Sequence, residues 1–449
     1  MASISLSGIT FYLVTLLVIS EHVQCDDDPI GIPTITSQNI EKDELANSVN
    51  SLGFNLVTKL LEDNDDKNII ISPTGIAGLL SMALLGSVGK SYDELANILG
   101  FSQDVKINRA NHELFGGLLT ALNDNTTSTK TMFADAVFVD DDSKLREEYR
   151  SYLERVYKGE AREVDFADKE NVKTLINEWV SNQTSGKISN FLKESLPVDT
   201  KAALLSAMYF SGQWEHPFVP EYTSFLEFKK PKEMIRAELM LNYGKFEYIY
   251  SLEDELQMIA LPYNDSTTKM YVIKPRKPDN MTLVELINRL NYTTINNLIN
   301  RLNSHVCIIR FPKMDLTYNA NLADPFKSLG LQSLFNPGQA NFALMIDSKN
   351  VNKTEDELIT RINDDETLET KNLREIIDAL PNPGVYIDKI IHDVKITINE
   401  YGTEAVAATG AFLARTAEQF YVNSPFFMFI RNEKTKLVTF SAAIFDPLS

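Results

Sequence analysis

Few residues in this 449-residue chain could do covalent chemistry, since it holds only 5 His and 2 Cys. No G-x-S-x-G elbow, H-E-x-x-H helix, G-x-G-x-x-G turn, phosphate-binding P-loop or C-x-x-C pair is present. His112-Glu113 lacks the second His four positions on that a zinc-binding helix needs. The members of a Ser-His-Asp triad meet only in space, so sequence leaves them undetermined. No metal, cofactor or catalytic residue is expected, and the chain reads as a non-enzyme.

One stretch stands apart for a different reason. If Gly402 to Leu413 is extended, Thr403, Ala405, Ala407, Thr409, Ala411 and Leu413 share one face, all small or apolar. Glu404, Val406 and Ala408 lie on the other. The first face could slide into a packed sheet. An Ala-rich helix is an equally open reading, because Ala is the best helix former.

The elements that must carry this stretch follow from periodicity. Leu45, Val49, Leu52, Leu56 and Leu60 predict a helix from Asp43, Ser72-Pro73 starts a second, and a third spans about Ile107 to Leu122. Strands are expected at Met132 to Val139, Ala202 to Phe210, Met258 to Ile273, Val306 to Phe311, Val394 to Ile398 and Phe426 to Ile430. Cys307 falls in one of them and reads as an inert core residue. Helices and strands alternate without a repeat or a Gly/Ser linker, which fits one α+β domain over residues 41–449.

With 44% hydrophobic residues the chain can bury a large core and cannot be disordered. A net charge of -19 repels phosphate backbones and anionic lipid, so neither nucleic acid nor membrane is an expected partner. The apolar run from Ile9 to Ile19 is too short to span a bilayer and fits a secretory signal over residues 1–25, followed by a flexible acidic leader over 26–40. Six sequons, at Asn125, Asn182, Asn264, Asn280, Asn291 and Asn352, would be open to glycosylation in a secreted glycoprotein. Residues 347–383 hold ten acidic against five basic side chains. They read as an acidic insertion containing a short amphipathic helix (Leu373, Ile376, Ile377, Leu380), in preference to an exosite for a basic partner.

From the first helix onward the chain resembles the serpins. The matching blocks are Asn68-Ile-Ile-Ile-Ser-Pro73, Asn177 to Ile188, Ala207 to Phe218, Leu261-Pro-Tyr263, Phe311-Pro-Lys313, Ser328-Leu-Gly-Leu331, Asn399 to Ala405, Ser424-Pro-Phe-Phe427 and Phe445-Asp-Pro447. Their order and spacing make the resemblance specific.

The resemblance implies a serpin fold, with three β-sheets, about nine helices and an exposed mobile reactive loop at about 400–424. It implies a suicide-substrate inhibitor: a serine protease cleaves the loop, which then inserts into the central sheet with the acyl-enzyme attached. The hinge is Glu400, Gly402, Thr403, Glu404, Ala405, Val406, Ala407, Ala408 and Thr409, whose small residues suit an inhibitor. Family spacing puts the reactive bond at Thr416 or one residue earlier, and Arg415-Thr416 is preferred because a trypsin-like pocket pairs its Asp with Arg. Thr416-Ala417, or a bond after Phe412 or Leu413, is the alternative. Lys313 and Glu400 match a family ion pair beside Trp214. Ser72 and His392 match the polar cluster that controls sheet opening, with Ser206 and Gly75 replacing the usual asparagine and second serine. The helix matching the heparin-binding one offers only Arg109 and the preceding Lys106, so heparin is not an expected partner. The expectation is a secreted monomer regulating a clotting, melanisation or innate immune cascade; the alternative is a non-inhibitory carrier.

Overall fold

Helix starts follow the capping chemistry of the sequence. The Ser72 hydroxyl accepts from Gly75 N–H at 3.0 Å, and Pro73 opens the helix Pro73–Gly86. The computed structural model describes residues 41–62, 64–122, 128–347, 370–402 and 417–449. The signal, the leader, most of the acidic insertion, Asn125, Asn352, hinge residues Thr403 to Thr409 and the bond Arg415-Thr416 lie outside these.

The described α-helices are α1 (Lys42–Glu62), α2 (Pro73–Gly86), α3 (Gly89–Leu99), α4 (Val105–Leu122), α5 (Glu147–Tyr157), α6 (Lys169–Gln183), α7 (Leu283–Arg289), α8 (Tyr292–Asn300), α9 (Ala323–Ser328) and α10 (Thr370–Asp378). The first strands are β1 (Ile69–Ile71), β2 (Thr129–Asp140), β3 (Lys144–Leu145), β4 (Glu160–Val164), β5 (Ala202–Gly212), β6 (Val219–Lys229), β7 (Met234–Ser251) and β8 (Leu256–Pro262). The rest are β9 (Thr268–Pro275), β10 (Asn303–Pro312), β11 (Met314–Asn321), β12 (Ile346–Asp347), β13 (Lys389–Ile398), β14 (Glu418–Tyr421), β15 (Phe426–Asn432) and β16 (Val438–Ile444).

They form three sheets in a mixed α+β fold. The five-stranded sheet runs β11-β13-β5-β2-β4, and its middle strand β5 is buried at every position. A strand covered on both faces needs the continuous apolar run that Ala202 to Phe210 supplies. One cover is α6, whose Val172, Ile176 and Val180 share a cluster with Ala136, Phe138 and Leu205. The other is α2 together with the nine-stranded sheet, which brings Phe311, Phe420 and Phe426 into one cluster with Met208, Phe210 and Ile396. That larger sheet runs β1-β16-β15-β9-β8-β7-β10-β14, with β6 against β7. A two-stranded sheet pairs β12 with β3.

Two differences from the sequence reading have physical causes. Met258 to Ile273 is a hairpin, turned where the Asp265 carboxylate accepts from Thr267 and Thr268 N–H. The β6–β7 ribbon has no counterpart in the prediction, because β6 pairs only with β7 and most of its side chains face solvent. The helical spacing in the acidic segment does correspond to α10, which docks through buried Leu373 and Ile377, with Leu380 just beyond it, against Val88 and Ala343. Arg374 pins it, bonding Asp93 at 2.8 Å with its guanidinium 4.9 Å from the centre of the Tyr92 ring.

Candidate functional site

The site begins where β13 leaves the five-stranded sheet. β13 and β5 are direct neighbours and run parallel, in register from Lys389↔Ala203 to Ile396↔Phe210. Beyond Ile398 the chain reverses: Asn399 N–H donates to Gly402 O at 3.0 Å and Gly402 N–H returns to Asn399 O at 3.2 Å. Gly402 also bridges Gln213, the residue after β5, in antiparallel sense. Gly402 thus already lies antiparallel to the extensions of both strands.

Only glycine fits there. Its φ is +111°, and a Cβ would stand 2.0 Å from Gly212 O and 2.7 Å from Gln213 Cα. Both atoms are backbone, so relief requires moving the chain. Gly402→Ala is expected to cost about 2–4 kcal/mol and to lower the thermal midpoint by several degrees; an unchanged melting curve would show that this turn can be rebuilt freely.

Glu400, Trp214 and Lys313, expected together from sequence, do meet around this turn. Glu400 is 7% exposed, accepts from the Thr223 hydroxyl at 2.8 Å, and its Oε2 lies 3.3 Å from Lys313 Nζ. Burial pushes its carboxyl up, but its own N–H, Thr223 and Lys313 outweigh that and hold it below the usual glutamate range. Trp214 stacks on Tyr263 at 4.5 Å and donates from Nε1 to Asn399 O at 3.0 Å. Its backbone N–H bonds Tyr401 O, and that of Phe218 bonds Glu400 O. The aromatic wall thus holds the turn through its carbonyls.

The second group lies deeper under the same strand pair. Ser206 on β5 is paired with Asp135 on β2 and with His392 on β13, so the three residues form a row across the central strands. Beneath it α2 comes close through Gly75 and Gly78, positions where a Cβ would lie 3.1 Å from Ser206 Oγ and 3.4 Å from Asp135 Oδ2. His392 Nε2 accepts from Ser72 N–H at 2.9 Å, which leaves the neutral ring its hydrogen on Nδ1. Burial lowers this imidazole to about 3. Among the described residues Asp135 Oδ1, Ser206 Oγ and His392 Nδ1 lack hydrogen-bond partners.

Asp, Ser and His in one row do not make a hydrolytic triad here. Ser206 stands between the other two, both Ser206 and His392 are fully buried, and the imidazole nitrogen a nucleophile would need is taken by Ser72 N–H. Within the row, His392 ties β13 to the start of α2 through the Ser72 N–H bond.

Asp135 was missed from sequence. It lies in a strand that reads as apolar, Phe133-Ala-Asp-Ala-Val-Phe138, and the available signal was that lone carboxylate. Burial pushes it up to about 7, opposed only by the facing Ser206 hydroxyl. Cys307 is fully buried and its thiol is pushed up to about 12, as an inert core cysteine should be. Sequon residues Asn182, Asn264, Asn280 and Asn291 are exposed, the last also capping α8.

The past-the-loop side is equally defined. Ala417 leads into β14, which pairs parallel with β10 from Cys307↔Glu418 to Arg310↔Tyr421. The fourteen residues between Gly402 and Ala417 therefore connect two anchored ends.

Comparison with known proteins places this architecture. A family model described as "Serpin (serine protease inhibitor)" matches residues 47–447. Plasminogen activator inhibitor 1 of Neovison vison is 27% identical over 403 residues, covering 88% of this chain and 91% of that protein. Serine protease inhibitor 28Dc of Drosophila melanogaster is 27% identical over 447 residues, covering 90% and 80% respectively. Native protease nexin-1, solved with heparin, superposes with a TM-score of 0.75 at 23% identity, covering 91% of this chain and all of that one.

Proposed function

The chain belongs to the serpin family, and we propose that it is a secreted, single-use inhibitor of trypsin-like serine proteases, cut at Arg415-Thr416. The observation that carries this reading is the turn at Gly402. There Gly402 bridges both Gln213, just past β5, and Asn399, just past β13, in antiparallel sense, beside the parallel ladder that joins β5 to β13. A strand fed between them would replace one parallel ladder by two antiparallel ones, which are slightly more stable per residue. The face that would enter, Thr403, Ala405, Ala407 and Thr409, carries no charge or bulk to bury.

The chemistry at the bond is ordinary acyl transfer by the protease, whose serine attacks the Arg415 carbonyl and releases Thr416 as the new amino terminus. This chain supplies the bait and, once cut, the released segment. Arg415 offers a guanidinium that an Asp at the base of a specificity pocket binds through two hydrogen bonds. Control of an extracellular clotting, melanisation or immune cascade fits the secretory N-terminus and the sequons. Heparin is left out of the proposal: α4 provides Lys106 and Arg109, and the nearby Arg155 is paired with Glu113 at 2.9 Å.

Incubation with trypsin is expected to yield an SDS-stable complex, and Arg415→Ala to reduce its formation rate more than a hundredfold. A loop that is clipped without complex formation and without a rise in thermal midpoint would instead support a non-inhibitory carrier.

A further inference from the structure

At one end of the nine-stranded sheet, polar groups are buried without the partners their chemistry requires. Tyr250 on β7 is paired with Gln257 on β8, and Gln257 with Lys274 on β9, so the three side chains form a row on one face. It is the face of Val272, Ile259 and Tyr248, and not that of Met258 and Ile273, which belong to the core shared with α1 and α7. Lys274 is 6% exposed, yet its ammonium has no hydrogen-bond or ion-pair partner among the described residues; its Nζ lies 5.6 Å from the centre of the Phe420 ring. Burial lowers this amine to about 8. Arg276 follows two residues later on the same side, and its backbone N–H continues the ladder to Glu255 O. Its Nη1 donates to the Tyr250 hydroxyl at 3.2 Å, but its Nε–H is buried with no acceptor among the described residues. The Glu255 carboxylate is taken by Arg289 at 3.0 Å. Gln257 Oε1 is likewise buried with no donor.

Two neighbouring cations, neither with a carboxylate partner among the described residues, make a site for an anion. A buried ammonium without acceptors is costly, and an oxyanion entering from solvent supplies them through charge-assisted hydrogen bonds. Gln257 Oε1 adds a requirement, because it needs a donor placed beside that charge. The mouth is apolar: Tyr250 is 45% exposed and Leu252, at the following turn, 67%. From Tyr250 to Lys274 the row crosses three strands, about 10 Å, which is room for one head group and one ring. We propose that this end of the sheet binds a small organic acid, with its carboxylate on Lys274 Nζ and Arg276 Nε, a neighbouring hydroxyl on Gln257 Oε1, and an aryl or alkyl body against Tyr250 and Leu252. The site does not involve Arg415-Thr416, so it stands independently of the inhibitor reading.

The probe is 3-phenyllactate, titrated calorimetrically into the full chain. One site per chain is expected, with a raised thermal midpoint. Lys274→Met keeps the length of the side chain and removes its charge, and Arg276→Gln removes the second cation; each should weaken binding about tenfold or more. 3-Phenylpropionate, which lacks the hydroxyl, should bind about threefold to tenfold more weakly than 3-phenyllactate. If Lys274→Met folds poorly, the wild-type chain carries the test: saturating 3-phenyllactate should slow acetylation of Lys274, read by mass spectrometry, while exposed Lys245 reacts as before. No heat and no midpoint shift at millimolar 3-phenyllactate would mean that water satisfies these groups, and overturns the site. Wild-type affinity in both Lys274→Met and Arg276→Gln overturns its placement. Inorganic phosphate that binds as tightly as 3-phenyllactate overturns the organic-acid assignment.

Discussion

Thr409→Arg is expected to turn the protein from an inhibitor into a substrate. The variant should still be cut after Arg415 by trypsin at close to the wild-type rate, because the bond lies six residues away. What it should lose is the trap. Thr409 shares the small, uncharged face of Thr403, Ala405 and Ala407, and a strand entering between β5 and β13 would carry that face into the interior. There the neighbouring side chains come from β5 and β13, whose inner faces at this seam include Leu204, Met208, Phe210 and Ile396. An unpaired guanidinium placed there costs about 3–5 kcal/mol, which slows insertion by about a hundredfold or more against a deacylation rate that stays fixed. SDS-stable complex should fall below about a tenth of wild type, and the cleaved protein should show no gain in thermal midpoint. Undiminished complex would mean that insertion does not proceed through this face. The outcome also separates the two family behaviours, since a carrier that never inserts its loop would not respond to the substitution.

Much of this site could be read from the chain because its determinants are local. Ser72-Pro73 is a capping signal, Gly402 occupies a backbone position closed to other residues, and the alternation after it needs only a period of two. Trp214, Lys313 and Glu400 were placed together by resemblance, and their contacts follow from the turn at Asn399–Gly402. The β6–β7 ribbon was not legible, since a strand with one neighbour and two wet faces has no alternation to show. Its exposed Tyr222 and Phe225 look like core residues in a sequence and become informative only when their exposure is known. Asp135 is the opposite case. A single Asp in a strand can be a solvent-facing charge or a buried one, and only the register Asp135↔Ser206↔His392 decides it.

That register leads to the second large effect, on stability. The Asp135 carboxyl is pushed up to about 7, whereas an unfolded chain leaves it near the ordinary value of about 3.9. The folded state therefore binds this proton more tightly than the unfolded one. Stability from this group is fully present below about pH 4, is lost progressively as pH rises, and is gone above about pH 7. A shift of about three units corresponds to at most about 4 kcal/mol; partial access of the side chain to solvent and relaxation around it reduce this to about 1–3 kcal/mol. Asp135→Asn keeps the shape, removes the charge and leaves an amide that can donate toward the Ser206 hydroxyl. It should raise the thermal midpoint at pH 8 by about 2–5 °C and have little effect at pH 4.5. Other groups near the seam do not mimic this. His392 is held neutral throughout, with its imidazole lowered to about 3. Asp393, pushed up to about 6 by burial, lies on the next position of β13 and keeps Asn319 as its donor at 2.7 Å in either variant. A melting curve for Asp135→Asn that tracks wild type across pH 5–8 would show that the carboxyl is solvated in the native state. A stabilised variant should in addition inhibit more slowly if opening of the β5–β13 seam limits insertion, because removing the buried charge stabilises the closed sheet that insertion must break.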